Sequence, residues 1–226
     1  MTKVALITGG TSGIGLAVAK DLIQTGGWQV NVIGTNRERG QEATAFLPNA
    51  TFYQADVRNY QQLATIFDQI FNSTGRLDFV FANAGRADYT DFFAKSETGI
   101  PPNRVPNFTK HALIGFTRSV GERLWEEGIR VNALCPGVVE TPLVADEAFY
   151  AIFPREIYIP MDVVTGVVSQ LLSGSDMVDA KGMRVAGDEM HSRAVHVSGK
   201  SFFFIEKPEI HDEQSRITWA AMMGHK

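Results

Sequence analysis

One stretch near the N-terminus constrains this chain more than any other. Thr8-Gly9-Gly10-Thr11-Ser12-Gly13-Ile14-Gly15 packs glycines into the point where the hydrophobic period changes. Upstream, Val4 to Thr8 is a short apolar run stopped by Gly9-Gly10, which reads as a buried strand. Downstream, Ile14, Ala17, Val18 and Leu22 fall on one helical face, and Gly26-Gly27 ends the helix. A strand, a glycine-rich turn and a helix in that order imply an α/β fold.

The same rhythm continues. Gln29 to Gly34 reads as a second strand and Thr51 to Ala55 as a third. Leu63, Ile66, Phe67, Ile70 and Phe71 mark an amphipathic helix, and Asp78 to Asn83 a fourth strand. Strands alternating with helices predict a parallel sheet with helices packed on it. The rhythm breaks after Gly85. Residues 86–106 carry Gly99, Pro101, Pro102 and Pro106 without sustained periodicity and read as loop. A long helix is expected from about Asn107 to Glu127, with Phe108, Ala112, Phe116, Val120 and Leu124 at spacing four. Gly128 ends it, and Arg130 to Cys135 reads as the next strand. Val164, Val167, Val168, Leu171 and Leu172 mark a later helix, and Ala194 to Ser198 reads as the last strand. The expectation is a single domain over 1–226, with a polar C-terminal tail from about residue 200.

Bulk properties narrow the function classes. A chain of 226 residues that is 44% hydrophobic suits one large core. There are 21 basic and 25 acidic residues, a net charge of −4, with no basic block. Nucleic acid and anionic lipid are therefore not expected as partners. The single cysteine, Cys135, excludes an intrachain disulfide and fits a reducing compartment. It reads as a buried strand thiol. The apolar run at the N-terminus is too short for a signal-peptide core, and no segment is long enough to span a bilayer. The expected location is cytoplasmic.

Backbone amides at a helix N-terminus bind phosphate, and glycines let a pyrophosphate approach them closely. The spacing here is G-x-x-x-G-x-G. In this, and in three further stretches, the chain resembles the short-chain dehydrogenase/reductase family. Asp56-Val57 follows the third strand, where the family places an aspartate near an adenine. Ala82-Asn83-Ala84-Gly85 is similar to the family's N-A-G motif after the fourth strand. Arg130-Val131-Asn132 through Pro136-Gly137 to Thr141 is similar to its R-V-N…P-G…T segment on the nicotinamide side. The resemblance covers residues 3–85 and 107–145 well and is nearest to fungal members related to hydroxyprostaglandin dehydrogenase, often tied to secondary metabolism.

The resemblance implies a Rossmann-type doubly wound parallel sheet and a nicotinamide dinucleotide held by Thr8, Gly9, Ser12, Gly13, Ile14, Gly15, Asn36, Arg37, Asp56, Val57, Asn83, Lys110, Pro136, Gly137, Val139 and Thr141. Its substrate would be a small carbonyl compound or alcohol. An acidic residue at the end of the second strand would hold a ribose 2′-hydroxyl and repel a 2′-phosphate. Gly34-Thr35-Asn36-Arg37 stands there instead, so the reading favours NADP, with NAD as the alternative.

The family's catalytic tyrosine precedes a lysine by four residues and passes a proton to or from the substrate oxygen while the lysine lowers its pKa. Lys110 is similar to that lysine and is the one catalytic residue expected, but Pro106 occupies the tyrosine position. None of Tyr53, Tyr60, Tyr89, Tyr150 and Tyr158 has a lysine four residues on. Lys110 follows Gly85 by only 25 residues, where the family fits a helix, a strand and a serine-bearing loop. One helix–strand unit between 86 and 106 is expected to be missing. Two outcomes stay open. Either the strand at Arg130 moves beside the strand at Asp78 and closes the sheet, or it stays apart and leaves a slot. Two functions also stay open: an NADP-dependent oxidoreductase that interconverts a ketone and a secondary alcohol, or a catalytically impaired nucleotide-binding pseudoenzyme or truncated variant without turnover. Assembly through the family's two interface helices is doubtful with one of them gone, although the stripe Phe108, Phe116, Val120 offers an apolar surface.

Overall fold

The computed structural model describes residues 1–85, 105–143, 153–206 and 213, with the backbone alone for 105–111. The first half contains β1 (Lys3–Thr8), α1 (Gly13–Thr25), β2 (Trp28–Gly34), α2 (Arg37–Ala45), β3 (Ala50–Gln54), α3 (Tyr60–Thr74) and β4 (Phe79–Ala82). Its four strands pair in parallel in the order β3-β2-β1-β4. The second half contains α4 (Val105–Trp125), β5 (Ala133–Pro136), α5 (Met161–Ser173), the short ribbon β6 (Met177–Val178) and β7 (Arg184–Val185), β8 (Ala194–Ser198) and β9 (Ser201–Ile205). β5 and β8 pair in parallel, and β9 returns antiparallel along β8. The α/β parallel architecture read from the sequence is the one observed.

Each face of the first sheet has its own core. Ala5, Ile7, Val30 and Val32 face α1 through Val18, Ala19 and Leu22. Val4, Leu6 and Ile33 face α3 through Ile66 and Ile70. The alternation follows from the two-residue period of a strand. Burial of each such aliphatic side chain contributes roughly 1.5–3 kcal/mol. A third cluster joins Val164 and Val167 of α5 to Val195, Val197 and Phe204 of the second sheet. Ile14 and Leu134 pack against both the α1-side core and this one, and Ser169 donates a 2.7 Å hydrogen bond to Asp21. One helical layer, α1 with α5, therefore spans both sheets.

Closure of the sheet is not what the structure adopts. β4 and β5 lie in different sheets and share no pairing. Leu134 of β5 packs against both the α1-side core and the second-sheet core, and β5 pairs with β8.

Other boundaries also moved. α2 was not expected, because Arg37–Ala45 has almost no apolar residues; it forms because Asn36 caps it and Gly40 lets it sit against Phe52. α4 starts at Val105, so Pro106 lies in a first turn, where a proline's missing N–H is no loss. β5 starts at Ala133, and Arg130–Asn132 lies outside it. Ala194–Ser198 is not the last strand, since β9 follows within the stretch expected as tail. Residues beyond Pro208 lie outside the description apart from Glu213. Of the described stripe residues on α4, Ala112 and Phe116 are exposed and Val120 and Leu124 half-buried, while Thr117 and Gly121 are the buried positions. Cys135 is half-buried rather than buried.

Candidate nucleotide-binding site

The glycine-rich turn is tied down from three sides. The Thr8 hydroxyl accepts from the backbone N–H groups of Asn83 and Ala84, both at 3.1 Å. The Asn83 carboxamide donates to the carbonyls of Thr8 at 3.2 Å and Gly9 at 3.3 Å. Gly10 N–H donates to the Ile33 carbonyl at 3.2 Å. Gly9 has φ +65°, and a Cβ there would come within 2.9 Å of the Ala84 backbone. Gly13 has φ +53°, and its Cβ would meet Thr141 at 3.2 Å. A side chain at Gly15 would collide with the Gly9 carbonyl. The missing side chains thus let Asn83, Ala84 and Thr141 pack closely on the turn.

The helix that follows is open at its start. Ser12 is the N-cap of α1 in extended conformation, yet its hydroxyl makes no capping bond, and the first turn holds no acidic residue. The amides of a helix N-terminus carry partial positive charge and seek an anionic partner. α2 and α3 differ, because Asn36 and Asn59 accept from Arg39 and Gln62 and cap them. These residues fit a dinucleotide pyrophosphate.

The remaining expected residues sort into scaffold and rim. Asn36 spends its oxygen on the α2 cap at 2.8 Å. Arg37 is exposed beside it with no ion pair to a described residue. Asp56 and Val57 follow β3, at the same end of the parallel sheet as the glycine turn. Both Asp56 oxygens are engaged by Arg58, whose hydrogen bonds hold the carboxyl down at about 2. Arg58 was not foreseen; the Asp-x-Arg spacing was its only signal. Ile14 is a core residue joining two clusters. Pro136 ends β5, Gly137 N–H donates to Val197 at 3.0 Å, and Val139 packs on the second-sheet core. Thr141 comes back against Gly13. The R-V-N triplet is scaffold. Arg130 donates to the Leu172 carbonyl at the end of α5, and Asn132 bridges Met190 and Arg193.

On the catalytic side, Lys110 lies on α4 and Pro106 one turn before it; their side chains, and that of His111, lie outside the described residues. Tyr89 and Tyr150 lie outside them too. Tyr158 stacks under Arg155 at 5.0 Å, and Tyr53 lines a shallow groove of about 300 Å³ between β3 and α3 that contains none of the expected cofactor residues. Among the described residues there is no cluster fit to hold a metal ion and no helix long and apolar enough to cross a membrane.

Residues 3–101 match the family model described as short chain dehydrogenase, and residues 91–153 match that of enoyl-(acyl carrier protein) reductase. The short-chain dehydrogenase/reductase prx7 of Penicillium rubens is 30% identical over 265 aligned positions, covering 90% of this chain and 94% of that protein. The chain belongs to the short-chain dehydrogenase/reductase family. Bovine 15-hydroxyprostaglandin dehydrogenase [NAD(+)] is 31% identical over 187 positions, covering 63% of this chain and 70% of its own. In fold, the chain is similar to an actinorhodin polyketide ketoreductase variant solved with NADPH, with TM-score 0.70 and 23% identity, covering 88% and 96% of the two chains. The L-sorbose reductase of Gluconobacter frateurii, solved with NADPH and L-sorbose, gives TM-score 0.68 at 20% identity, covering 88% of this chain and 95% of that one. A family oxidoreductase with a nicotinamide dinucleotide as cofactor is thereby supported.

Proposed function

We propose that this protein binds NADP(H) across the glycine turn and descends from reductases that interconvert a ketone and a secondary alcohol. The observation that carries the reading is the uncapped N-terminus of α1 within a turn built of Gly9, Gly13 and Gly15 and bordered by Asn83 and Thr141. When bound, the nicotinamide would supply or accept the hydride. In the chain itself, α1 amides and Ser12 hold the pyrophosphate, Asp56 and Val57 border the adenine, and Pro136, Gly137, Val139 and Thr141 border the nicotinamide. Arg37 pairs with a 2′-phosphate, and the absence of a carboxylate at Asn36 removes the group that would repel one. Polyketide and sugar reductases similar in fold were solved with NADPH, whereas the prostaglandin dehydrogenases use NAD(+) by name.

A second reading rests on one specific observation: no tyrosine precedes a lysine by four residues anywhere in the chain. Loss of the general acid lowers the rate by about 10²–10⁴. Lys110 would orient the ribose with no tyrosine four residues before it to activate, and the protein would then bind nucleotide with little or no turnover. Thermal unfolding with NADPH and with NADH separates these ideas. A rise in Tm with NADPH above that with NADH supports the cofactor reading, since a ligand of the native state must stabilise it. Carbonyl reduction by the NADPH-bound protein then decides between reductase and binder. No rise with either nucleotide removes both.

A further inference from the structure

The loops that leave β2 and β3 are stitched to one another. Ala55 N–H donates to the Gly34 carbonyl at 3.0 Å, and the Gln54 carboxamide donates to the Thr35 carbonyl at 3.1 Å. Gln62 of α3 donates to the Gln54 carbonyl at 3.1 Å and accepts from Asp56 N–H at 3.4 Å. Asp56 therefore follows directly on a residue bonded to the loop that carries Asn36 and Arg37. A carboxylate there works against a phosphate on the same rim, as an acid at Asn36 would. The rim lacks an acid at the end of β2 and has one just beyond the end of β3.

Arg58 meets that acid. Its Nε lies 3.0 Å from each Asp56 oxygen, and its Nη2 lies 2.6 Å from Oδ2. Its backbone N–H adds a bond to Oδ1 at 2.9 Å. These bonds, the guanidinium foremost, hold the carboxyl ionised down to about 2. The Arg58 side chain is 84% exposed, and an ion pair so placed contributes little to stability. Its consequence lies in the charge of the rim. The charged residues of 34–39 and 54–59 are Arg37, Glu38, Arg39, Asp56 and Arg58. Three are cations and two are carboxylates, so the balance is one positive charge with Arg58 and none without it.

We infer that Arg58 is a specificity-determining residue of the adenosine end. By closing Asp56 into an ion pair it cancels the charge that would repel a 2′-phosphate, and it leaves Arg37 to pair with one. The ligand class it favours is an adenosine nucleotide phosphorylated at the 2′ position. Arg58 acts through Asp56 and does not itself hold the phosphate. This role rests on the reading of the glycine turn as an NADP(H) site.

The test is calorimetric titration of the full chain with NADPH, NADH, 2′,5′-ADP and 5′-AMP. It compares wild type, Arg58→Ala, Arg58→Lys and the double variant Arg58→Ala/Asp56→Asn. Wild type should bind NADPH and 2′,5′-ADP more tightly than NADH and 5′-AMP. Arg58→Ala should weaken the two 2′-phosphorylated probes by about fivefold or more and the other two by less than about twofold. Arg58→Lys should regain part of the loss. The double variant should regain most of it, because the amide leaves no charge to cancel. An equal loss in the single and double variants means that Arg58 does not act through Asp56, and overturns the inference. An unchanged ratio of NADPH to NADH affinity in Arg58→Ala, with wild type preferring NADPH, overturns it and leaves the cofactor reading standing. Wild type with no preference for the 2′-phosphate overturns the cofactor reading, and the role of Arg58 with it. Carboxyl titration by NMR without nucleotide checks the ion pair itself. Asp56 should titrate at about 2 in wild type and near the usual value of about 3.9 in Arg58→Ala. The same value in both proteins also overturns the inference.

Discussion

The β9 end and the β4 end of this molecule are made of similar material and treated in opposite ways. Both are short apolar strands, Ser201–Ile205 and Phe79–Ala82. On the β9 side a single carboxylate organises the surroundings. Asp179 accepts from Lys181 and Met183 as well as Phe204, and so pins the β6–β7 ribbon and β9 together. Burial alone would raise its pKa, but the three backbone N–H groups outweigh that and hold it below the usual carboxylate range. On the β4 side the described contacts anchor both ends of the strand to β1, with Asp78 accepting from Val4 N–H at 2.8 Å at one end and Asn83 bonding to Thr8 at the other, and none of them closes the outer edge.

Changes at the anchored end of β4 carry the largest expected effect. Gly9→Val combines a positive φ with a clash against Ala84 and is expected to cost roughly 2–4 kcal/mol and to abolish the NADPH-dependent rise in Tm. Denaturant unfolding and the nucleotide titration check the two parts. Asp179→Ala comes next. It leaves the Lys181, Met183 and Phe204 amides without their acceptor, so Tm should fall by several degrees and β9 amides should lose protection while β4 amides do not change. Equal loss at both edges would break the contrast.

Asn83→Leu removes two donated hydrogen bonds and is expected to cost about 1–2 kcal/mol, with nucleotide binding weakened because the Gly9 carbonyl is released. A paired truncation sharpens the comparison further. Val4→Ala and Val80→Ala lie on the same α3 face, at 2% and 43% exposure. The first should cost about 1–3 kcal/mol and the second less than about 0.5 kcal/mol.

The smallest effect is on pH. Asp179 and Asp56 are both depressed in the folded state, so their contribution is complete above the unfolded carboxylate pKa of about 3.9 and is lost as pH falls through the folded values. For Asp56 that value is about 2. Acid melts of wild type and Asp179→Asn should therefore converge only at the acid end of this window. Convergence already at pH 6 would contradict the assignment.

The half of the chain up to Gly85 was legible because local chemistry decided it. Val4 to Thr8, the glycine turn and the helix from Ile14 announce themselves through apolar runs, a change of period and glycines where no side chain fits. The family followed from these and from Asn83 and Thr141, and the absent tyrosine was a fact of sequence alone. α2 was illegible, since its stability comes from an Asn36 cap and one close approach of Gly40 to Phe52 rather than from an apolar stripe. Arg58 was illegible because its partner, Asp56, had been assigned to the cofactor. The α4 stripe was legible as a helix but not in its facing, since Phe116 is exposed while Thr117 and Gly121 are buried.

The sequence by itself determined the class of the fold, the place of the glycine-rich turn and the absence of a tyrosine four residues before any lysine, because each depends on residues close together in the chain. Only the tertiary structure decided that β5 stays with β8 rather than moving to β4. That choice depends on α1 and α5 packing over both sheets through Ile14 and Leu134, contacts between residues more than a hundred positions apart, whose energies no local pattern records.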